Sequence, residues 1–214
     1  LKLRATPFDV LIAEFGPAEA KFLRNVGIGV DESSVVSYTI APDVKSIGRN
    51  YCLPKNEYNP RVVLQNVYEL CEEVGIKLRL LDKKARTVGF YLGGSQSVHG
   101  RKTYKDYFDS GKEIYERCLL LFKRQEISLS KNYVRQISIW VSSLEDAKNL
   151  PLSLFDSSLK NERLISTVDK INQRFGDHTI RNGFLLYADK LTTVPNGYMA
   201  DKYERTKIAK DQLL

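Results

Sequence analysis

The sequence predicts an α+β fold in which two helices cover one face of a four-stranded sheet, in the order β-α-β-β-α-β. Alternating apolar and polar residues mark four strands, and apolar residues spaced three and four apart mark two helices. This module spans residues 43–145. A small helical segment precedes it over residues 1–42, and residues 146–214 add a helical and irregular extension.

The first 42 residues are predicted to form two helices. Thr6 has the chemistry of an N-cap, Pro7 suits the first helical position, and apolar residues then recur at helical spacing until Gly16. A second helix runs from Pro17 towards Gly27. By itself this pattern indicates a helical hairpin without an assigned role.

The module opens with a strand over residues 45–53, which Pro54 ends. Asn59 and Pro60 have the chemistry of a helix start. The long helix that they begin carries one continuous apolar stripe, which predicts that one side of it packs on the sheet.

Two strands, a second helix and a last strand follow. The second strand is predicted over residues 86–92 and the third over 101–108, joined by a glycine-rich loop. Ser110 and Glu113 have the spacing of a capping box at the start of the second helix. The fourth strand is predicted over residues 133–141.

Two helices with one apolar stripe each can cover only one face of this sheet. The other face stays open unless a partner covers it, and it is the candidate binding surface. The polar residues that alternate with core positions are predicted on it: Thr87, Tyr91, Arg101, Thr103, Lys105, Gln136 and Ser138.

The positive charge is concentrated in the middle of the chain. Residues 1–44 carry a net charge of −2, residues 45–145 carry +7 and residues 146–214 carry +2. A local cationic surplus of this kind is typical of a surface that binds nucleic-acid phosphates, and it is equally typical of an ordinary solvated basic face.

Several segments resemble the Y-family (translesion) DNA polymerases. The sequence KSIGR at residues 45–49 resembles the strand that opens the family's little finger domain. Residues 78–88 resemble the following helix end and second strand, and residues 134–139 resemble the fourth strand. Residues 15–33 resemble the end of the thumb, a small helical domain that contacts the DNA minor groove. The resemblance implies a partial thumb, a DNA-gripping little finger and a C-terminal extension.

The resemblance also implies which residues hold template phosphates in the major groove. These are Lys45, Ser46, Ile47, Gly48, Arg49, Arg86, Thr87, Arg135 and Gln136. The predicted open face adds Arg101 and Lys105. Ser138 departs from the family, which often has glycine there. Taken alone, KSIGR is more typical of an edge strand with a glycine bulge and two solvated cations.

No catalytic residue is assigned in this chain. The resemblance implies that the catalytic carboxylates and their Mg²⁺ lie in a palm domain upstream of Leu1. We therefore expect the parent protein to be a DNA polymerase, and this chain alone to bind primer-template DNA without extending it.

The metal and disulfide chemistry of the chain is predicted to be sparse. Cys52, Cys71 and Cys118 are odd in number and widely spaced, which favours reduced core thiols over a disulfide framework. With His99 and His178 they have no metal-ligand spacing, so no metal or other cofactor is predicted in these residues.

The segment that follows the fourth strand resembles the bacterial sliding-clamp-binding peptide, with proline where that peptide has glutamine. The predicted clamp contacts are Pro151, Leu152, Ser153, Leu154 and Phe155. The alternative is that its three large apolar side chains form an intramolecular hydrophobic plug.

The extension contains one more amphipathic helix, with apolar residues from Leu164 to Phe175 and an end at Gly176. Residues 155–183 resemble the C-terminal extension of UmuC-type Y-family polymerases. No apolar run approaches the roughly 20 residues that span a bilayer, and no secretory signal is recognisable, so a cytoplasmic location is expected.

Two other functional classes remain open. RNA-recognition modules share the β-α-β-β-α-β order, although no strand here has their Lys/Arg-Gly-Phe pattern. A non-catalytic protein-interaction scaffold is the other class. Phosphate binding weakens steeply with salt, so a salt titration distinguishes it from hydrophobic docking.

Overall fold

The computed structural model describes residues 2–35, 43–125, 129, 131–151, 156–176, 179–186, 188 and 196–197. The chain forms two compact units, Leu1–Pro42 and Asp43–Leu214. The extension after residue 145 therefore belongs to the same unit as the sheet.

The first unit consists of helices. Their bounds are α1 (Lys2–Ala5), α2 (Phe8–Phe15) and α3 (Pro17–Ile28). The cap predicted for Thr6 is wrong, because its hydroxyl donates to the carbonyl of Lys2 at 3.0 Å and no side chain caps α2. α3 continues one residue past Gly27 and ends at Gly29, whose φ of 77° lies in the left-handed region that glycine adopts without strain.

The predicted β-α-β-β-α-β order is confirmed in the second unit. Its elements are β1 (Ser46–Glu57), α4 (Pro60–Leu80), β2 (Lys83–Gly94), β3 (Val98–Phe108), α5 (Gly111–Phe122) and β4 (Val134–Asp146). Neighbouring strands are antiparallel, and the sheet order is β3-β2-β4-β1-β5. The fifth strand, β5 (Asn196–Gly197), pairs with Arg49 and Asn50 and was not predicted.

The strands extend beyond their predicted ends. Gly93 and Gly94, predicted as a loop, belong to β2 because they pair with Gln136 and Val134 of β4. The connection to β3 is therefore shorter than the sequence suggested, at Ser95–Ser97.

The two helix starts of this unit differ. The Asn59 side chain accepts a hydrogen bond from the amide of Arg61 at 3.0 Å, which confirms the predicted start of α4. The capping box predicted at α5 is wrong, because Ser110 makes no side-chain cap and the carboxylate of Glu113 instead pairs with Arg117 at 3.5 Å.

The hydrophobic core lies between one face of the sheet and the helices α4 and α5. Alternate residues of every long strand enter it, including Ile47 of β1, Val88 of β2 and Ile139 of β4. The helices supply residues such as Leu70 and Ile114, both fully buried. Within the described part of the second unit, α4 and α5 pack on this face, and the other face of the sheet has no helix over it.

α4 and α5 approach each other through glycine. A Cβ on Gly75, inside α4, would lie 2.6 Å from the amide nitrogen of Gly111 at the start of α5. Only glycine permits this separation, so Gly75 serves the contact between the helices and does not interrupt α4.

The extension packs against the helical layer, away from the open face of the sheet. α6 (Asp156–Phe175) ends before Gly176 as predicted, and a short 3₁₀ helix follows at Gly183–Leu185. Arg79 of α4 donates two hydrogen bonds to Asp169 of α6, at 2.6 and 2.8 Å. These contacts hold the extension on the back of the module.

Candidate nucleic-acid interface

Side chains of the open face lie in rows that cross the strands. One row runs from Arg101 through Gly89 and Trp140 to Gly48, and these residues are direct antiparallel partners. The next row, in the same order of strands, consists of His99, Tyr91, Ser138 and Asn50. All of them alternate with core residues along their strands, which places them on the face away from α4 and α5.

Hydroxyl groups cluster around Thr87, whose strand partners are Thr103 on β3 and Ser142 on β4. The Thr87 hydroxyl lies 2.8 Å from that of Thr103 and 2.9 Å from that of Ser143, which has a φ of 55°. Thr87 is fully buried, whereas Thr103 and Ser143 are exposed. The hydroxyls of Thr103 and Ser143 can therefore contact a ligand directly. The buried Thr87 hydroxyl holds both in position through hydrogen bonds.

Five of the predicted contact residues are cations that make no ion pair within the described chain. Four have exposed side chains, and Arg86 is half-buried. They are Lys45, Arg86, Arg101, Lys105 and Arg135. The guanidinium of Arg86 lies 5.6 Å from the ring centroid of Tyr107, and its buried Nε has no hydrogen-bond partner.

Two predicted contact residues point the other way. Ile47 is 1% exposed and belongs to the core, so its side chain is not at the open face. Arg49 lies on the same side of β1, where its Nε is 3.9 Å from the carboxylate of Glu73 on α4. The family motif predicts Ile47 and Arg49 as phosphate contacts, and the structure places both side chains on the helical side, because alternation along β1 turns residues 47 and 49 away from the open face.

The remaining predicted contacts stay at the open side of the sheet. Ser46 and Gln136 are exposed, and Gly48 is buried beside its partner Trp140. Ser138, the departure from the family pattern, is only 6% exposed and lies between Asn50 and Tyr91.

Trp140 is the largest residue of this face that the sequence reasoning missed. A Cβ on Gly89 would lie 2.3 to 2.7 Å from three atoms of its indole ring, so the ring covers Gly89. Tyr91 covers Gly93 in the same manner, with its Cε1 and its hydroxyl oxygen each 2.8 Å from the Cβ position. The signal was available, since Trp140 follows Ser138 by two residues in the same strand.

Ion pairs at the end of the sheet change the pKa of the groups involved. The hydrogen bond to Asp146, at 2.9 Å, is the main cause that raises the pKa of Lys83 above its ordinary value. The same hydrogen bond lowers the pKa of Asp146. Lys83 also lies 3.2 Å from Asp43, so its charge is neutralised within the protein.

A groove of about 540 Å³ lies on the opposite side of the unit, between α4, α5 and α6. Its lining includes Glu72, Glu113 and Glu116. Burial raises the pKa of Glu113, although the nearby Arg117 opposes the shift. Its lining also includes Asp169 and the cations Arg79, Lys112 and Arg181. These cations already pair with Asp169, Glu116 and Glu69, so the groove is a poor site for phosphate and does not belong to the candidate interface.

The three cysteines are free thiols. Cys71 and Cys118 are buried as expected, and burial raises the pKa of Cys71. Cys52 is exposed, which corrects the prediction that it is a core residue. In the described part of the chain, no three His, Cys, Asp or Glu residues gather where a metal ion could bind, and no helix is long and apolar enough to cross a membrane.

The clamp-binding peptide falls largely outside the described residues. Pro151 is described and exposed, whereas residues 152–155 are not described.

Comparison with known proteins gives a family match. A model of the impB/mucB/samB family C-terminal domain matches residues 44–154, just over half of the chain. A Bacillus subtilis protein provisionally named UV-damage repair protein UvrX is 26% identical over 185 residues, covering 84% of this chain and 43% of that protein. DNA polymerase IV of Acetivibrio thermocellus is 29% identical over 164 residues, covering 74% of this chain and 41% of that protein.

The chain thus spans about two fifths of the length of these relatives. Among solved structures, a Y-family DNA polymerase chimera matches with a TM-score of 0.49 and 17% sequence identity, covering 66% of this chain and 39% of that chain.

Proposed function

We propose, from the premise that the chain belongs to the impB/mucB/samB family of Y-family DNA polymerases, that its open sheet face binds the sugar-phosphate backbone of primer-template DNA. One observation carries the proposal: the cations of this face have no carboxylate partner among the described residues. Cationic side chains that bind phosphates release counterions, and such contacts carry no sequence information. We expect tight binding at low salt with little sequence preference.

The proposed contacts combine charge with neutral donors. Exposed groups can reach phosphate oxygens directly, and Arg86 can turn its unpartnered Nε towards one. The proposed set is Lys45, Ser46, Arg86, Arg101, Thr103, Lys105, Arg135, Gln136 and Ser143. Because β-strands hold these groups on a rigid scaffold, the face fits a regular helical backbone better than a flexible ligand.

A salt titration of DNA binding tests this proposal. Fluorescence anisotropy would measure the affinity of the chain for a labelled primer-template duplex across a range of salt concentrations. Arg101→Ala should weaken binding and reduce the slope of log K against log salt by about 0.9, the value for one lost phosphate contact. Lys112→Ala, an exposed cation on α5 whose side chain is 69% exposed, is the matched control and should leave the slope unchanged.

Two results would contradict the proposal. One is equal affinity of wild type and Arg101→Ala at every salt concentration. The other is an affinity for duplex DNA that does not fall as salt rises, which would favour the protein-interaction scaffold.

The parent protein is proposed to be a translesion DNA polymerase that uses Mg²⁺ bound by carboxylates outside this chain. The relatives named DNA polymerase IV support this activity. We expect the purified chain to bind primer-template DNA and to add no nucleotide in a primer-extension assay with Mg²⁺. Extension by the pure chain would overturn the assignment of catalysis to another segment.

Residues 151–155 remain the proposed attachment to the bacterial sliding clamp, and the support is their sequence. The double variant Leu154→Ala with Phe155→Ala should abolish retention of the chain on immobilised clamp, because the two large apolar side chains are the expected anchors. Lys160→Ala, a nearby exposed cation, is the control. Unchanged retention of the double variant would favour the intramolecular plug.

A further inference from the structure

An aromatic residue lies near the centre of the open face. Trp140 is the chain's single tryptophan, and its strand partners on both sides are glycines, Gly48 and Gly89. The indole ring covers Gly89 and remains partly exposed. Tyr91 lies one row away and covers Gly93. Two rings therefore rest on the backbone of β2, where neighbouring side chains are missing.

The surroundings of the ring are cationic. Arg101 continues the row of Trp140 on β3, Lys105 follows Thr103 by two residues on the same strand, and Arg86 precedes Thr87 on β2. None of the three has an ion-pair partner among the described residues. An apolar centre inside a polar and charged rim is the usual composition of a binding surface, and tryptophan is enriched among the residues that dominate its energy.

We propose that Trp140 is a DNA-contacting residue that packs its exposed ring against the deoxyribose groups of one strand of the bound duplex. This inference rests on the proposed function, because it names a contact within the same interface. It assigns to the neutral ring a role separate from that of the surrounding cations.

The chemistry of the ligand argues for the sugar. An indole ring is neutral and cannot replace the counterions of a phosphate group, so its contribution does not come from charge. Paired bases are stacked inside the helix and present only their edges in the grooves. Along a strand, each pair of adjacent phosphates is separated by a sugar with apolar C–H groups, which a ring placed among phosphate-binding cations would meet. The cationic rim favours this polyanion over a protein partner.

The single tryptophan provides a direct measurement. Fluorescence of Trp140 should change on titration with duplex DNA and reach a plateau at the concentration where anisotropy of labelled DNA reports saturation. Trp140→Ala should weaken duplex binding roughly tenfold while the salt slope stays unchanged, since no phosphate contact is lost. Arg101→Ala supplies the contrast, with a reduced slope.

Two further variants address the fold and the position of the ring. Trp140→Phe keeps an aromatic group and should retain most of the affinity, and its melting temperature reports any change in folding. Gly89→Ala places a Cβ where the ring now lies, so the ring must move. We expect that variant to weaken duplex binding even though Trp140 is present.

The outcomes separate this inference from the proposed function. If the wild-type chain does not bind duplex DNA, the proposed function fails and this contact fails with it. If the wild type binds but its fluorescence is unchanged at saturation, or a folded Trp140→Ala binds as tightly as wild type, only the contact is refuted. A loss of affinity confined to single-stranded DNA also refutes it, because the ring would then contact unpaired bases.

Discussion

Three cations on the helical side of the sheet are paired with carboxylates, whereas, in the described part of the chain, the cations of the open side are not. On the helical side, Arg79 pairs with Asp169, Lys84 with Glu162 and Arg181 with Glu69, at distances of 2.6 to 2.9 Å. On the open side, the cations of β2, β3 and β4 have no such partner among the described residues. The difference indicates that the first group serves the fold and that the second group is available to a ligand.

The ion pairs on the helical side all connect the same two parts of the chain. Each joins the layer of α4 and β2 to the extension, and Gln65 of α4 donates to the carbonyl of Phe184 at 2.9 Å. Leu185 is only 1% exposed, so apolar burial accompanies the ion pairs. Charge on this side is used to attach one part of the polypeptide to another.

The largest expected effect comes from removing charge on the open side. A triple variant, Arg101→Ala with Lys105→Ala and Arg135→Ala, should lose roughly a hundredfold in duplex affinity at low salt and about 2 to 3 units of salt slope. Its unfolding free energy should stay close to that of wild type, because these side chains have no partner within the described protein.

A triple variant of equal charge on the helical side provides the control. Lys112→Ala, Lys123→Ala and Arg124→Ala remove three exposed cations at α5 and the turn after it. Total charge is the same in the two triple variants. Equal losses of affinity in both would mean that net charge, and not the open face, determines binding.

Removing a paired cation on the helical side should lower the stability of the fold and leave DNA affinity unchanged. Arg181→Ala removes the 2.9 Å ion pair with the Glu69 carboxylate, whose side chain is 5% exposed. Because breaking an ion pair to a buried carboxylate is costly, we expect a loss of about 2 kcal/mol in the free energy of unfolding, measured by urea titration. DNA affinity should not change.

Arg163→Ala tests whether this loss is specific to the pair. Arg163 is an exposed cation on α6 without an ion pair in the described chain. Its removal should alter stability by no more than about 0.5 kcal/mol. A loss as large as that of Arg181→Ala would show that the extension tolerates no change at all, and the pairing argument would fail.

Local alternation was sufficient to predict the sheet and much of its open face. Ile137, Ile139 and Val141 were assigned to one side and Gln136 and Ser138 to the other, and the structure agrees. A period of two residues follows from strand geometry, and it can be read without knowledge of the strand order. The family resemblance, also read from short motifs, is confirmed by the match to residues 44–154.

The family motif and the strand alternation differ at one predicted contact. Ile47 and Tyr51 are core residues, so Arg49 between them must also face the helices. The family motif had favoured Arg49 as a contact. Applied one step further along β4, the same alternation would have placed Trp140 on the open face.

Other features had no local signal in the sequence. Arg79 and Asp169 are 90 residues apart, and Arg181 and Glu69 are 112 residues apart. Charge pairs at such separations depend on how α6 packs on the helical layer, which periodicity does not specify. The sequence therefore predicted several of the cations on the open face, but it did not predict which cations on the helical side are paired.

The smallest expected effect concerns the ion pair at the end of the sheet. The hydrogen bond from Lys83 keeps the pKa of Asp146 below its ordinary value of 3.8, so the ionised carboxylate stabilises the folded state. This contribution is complete above that ordinary pKa, which applies to the unfolded chain, and is lost as pH falls through the lower folded pKa.

Asp146→Asn should therefore have a lower melting temperature than wild type at neutral pH, and the two should converge in strong acid. Asp106→Asn removes an exposed carboxylate of β3 that has no ion pair in the described chain, and it should melt as wild type does at every pH. If both variants lost the same stability at neutral pH, Lys83 would not be the cause. The ion pair of Lys83 would then contribute nothing to stability, and pairing with a carboxylate would not be enough to show that a cation serves the fold.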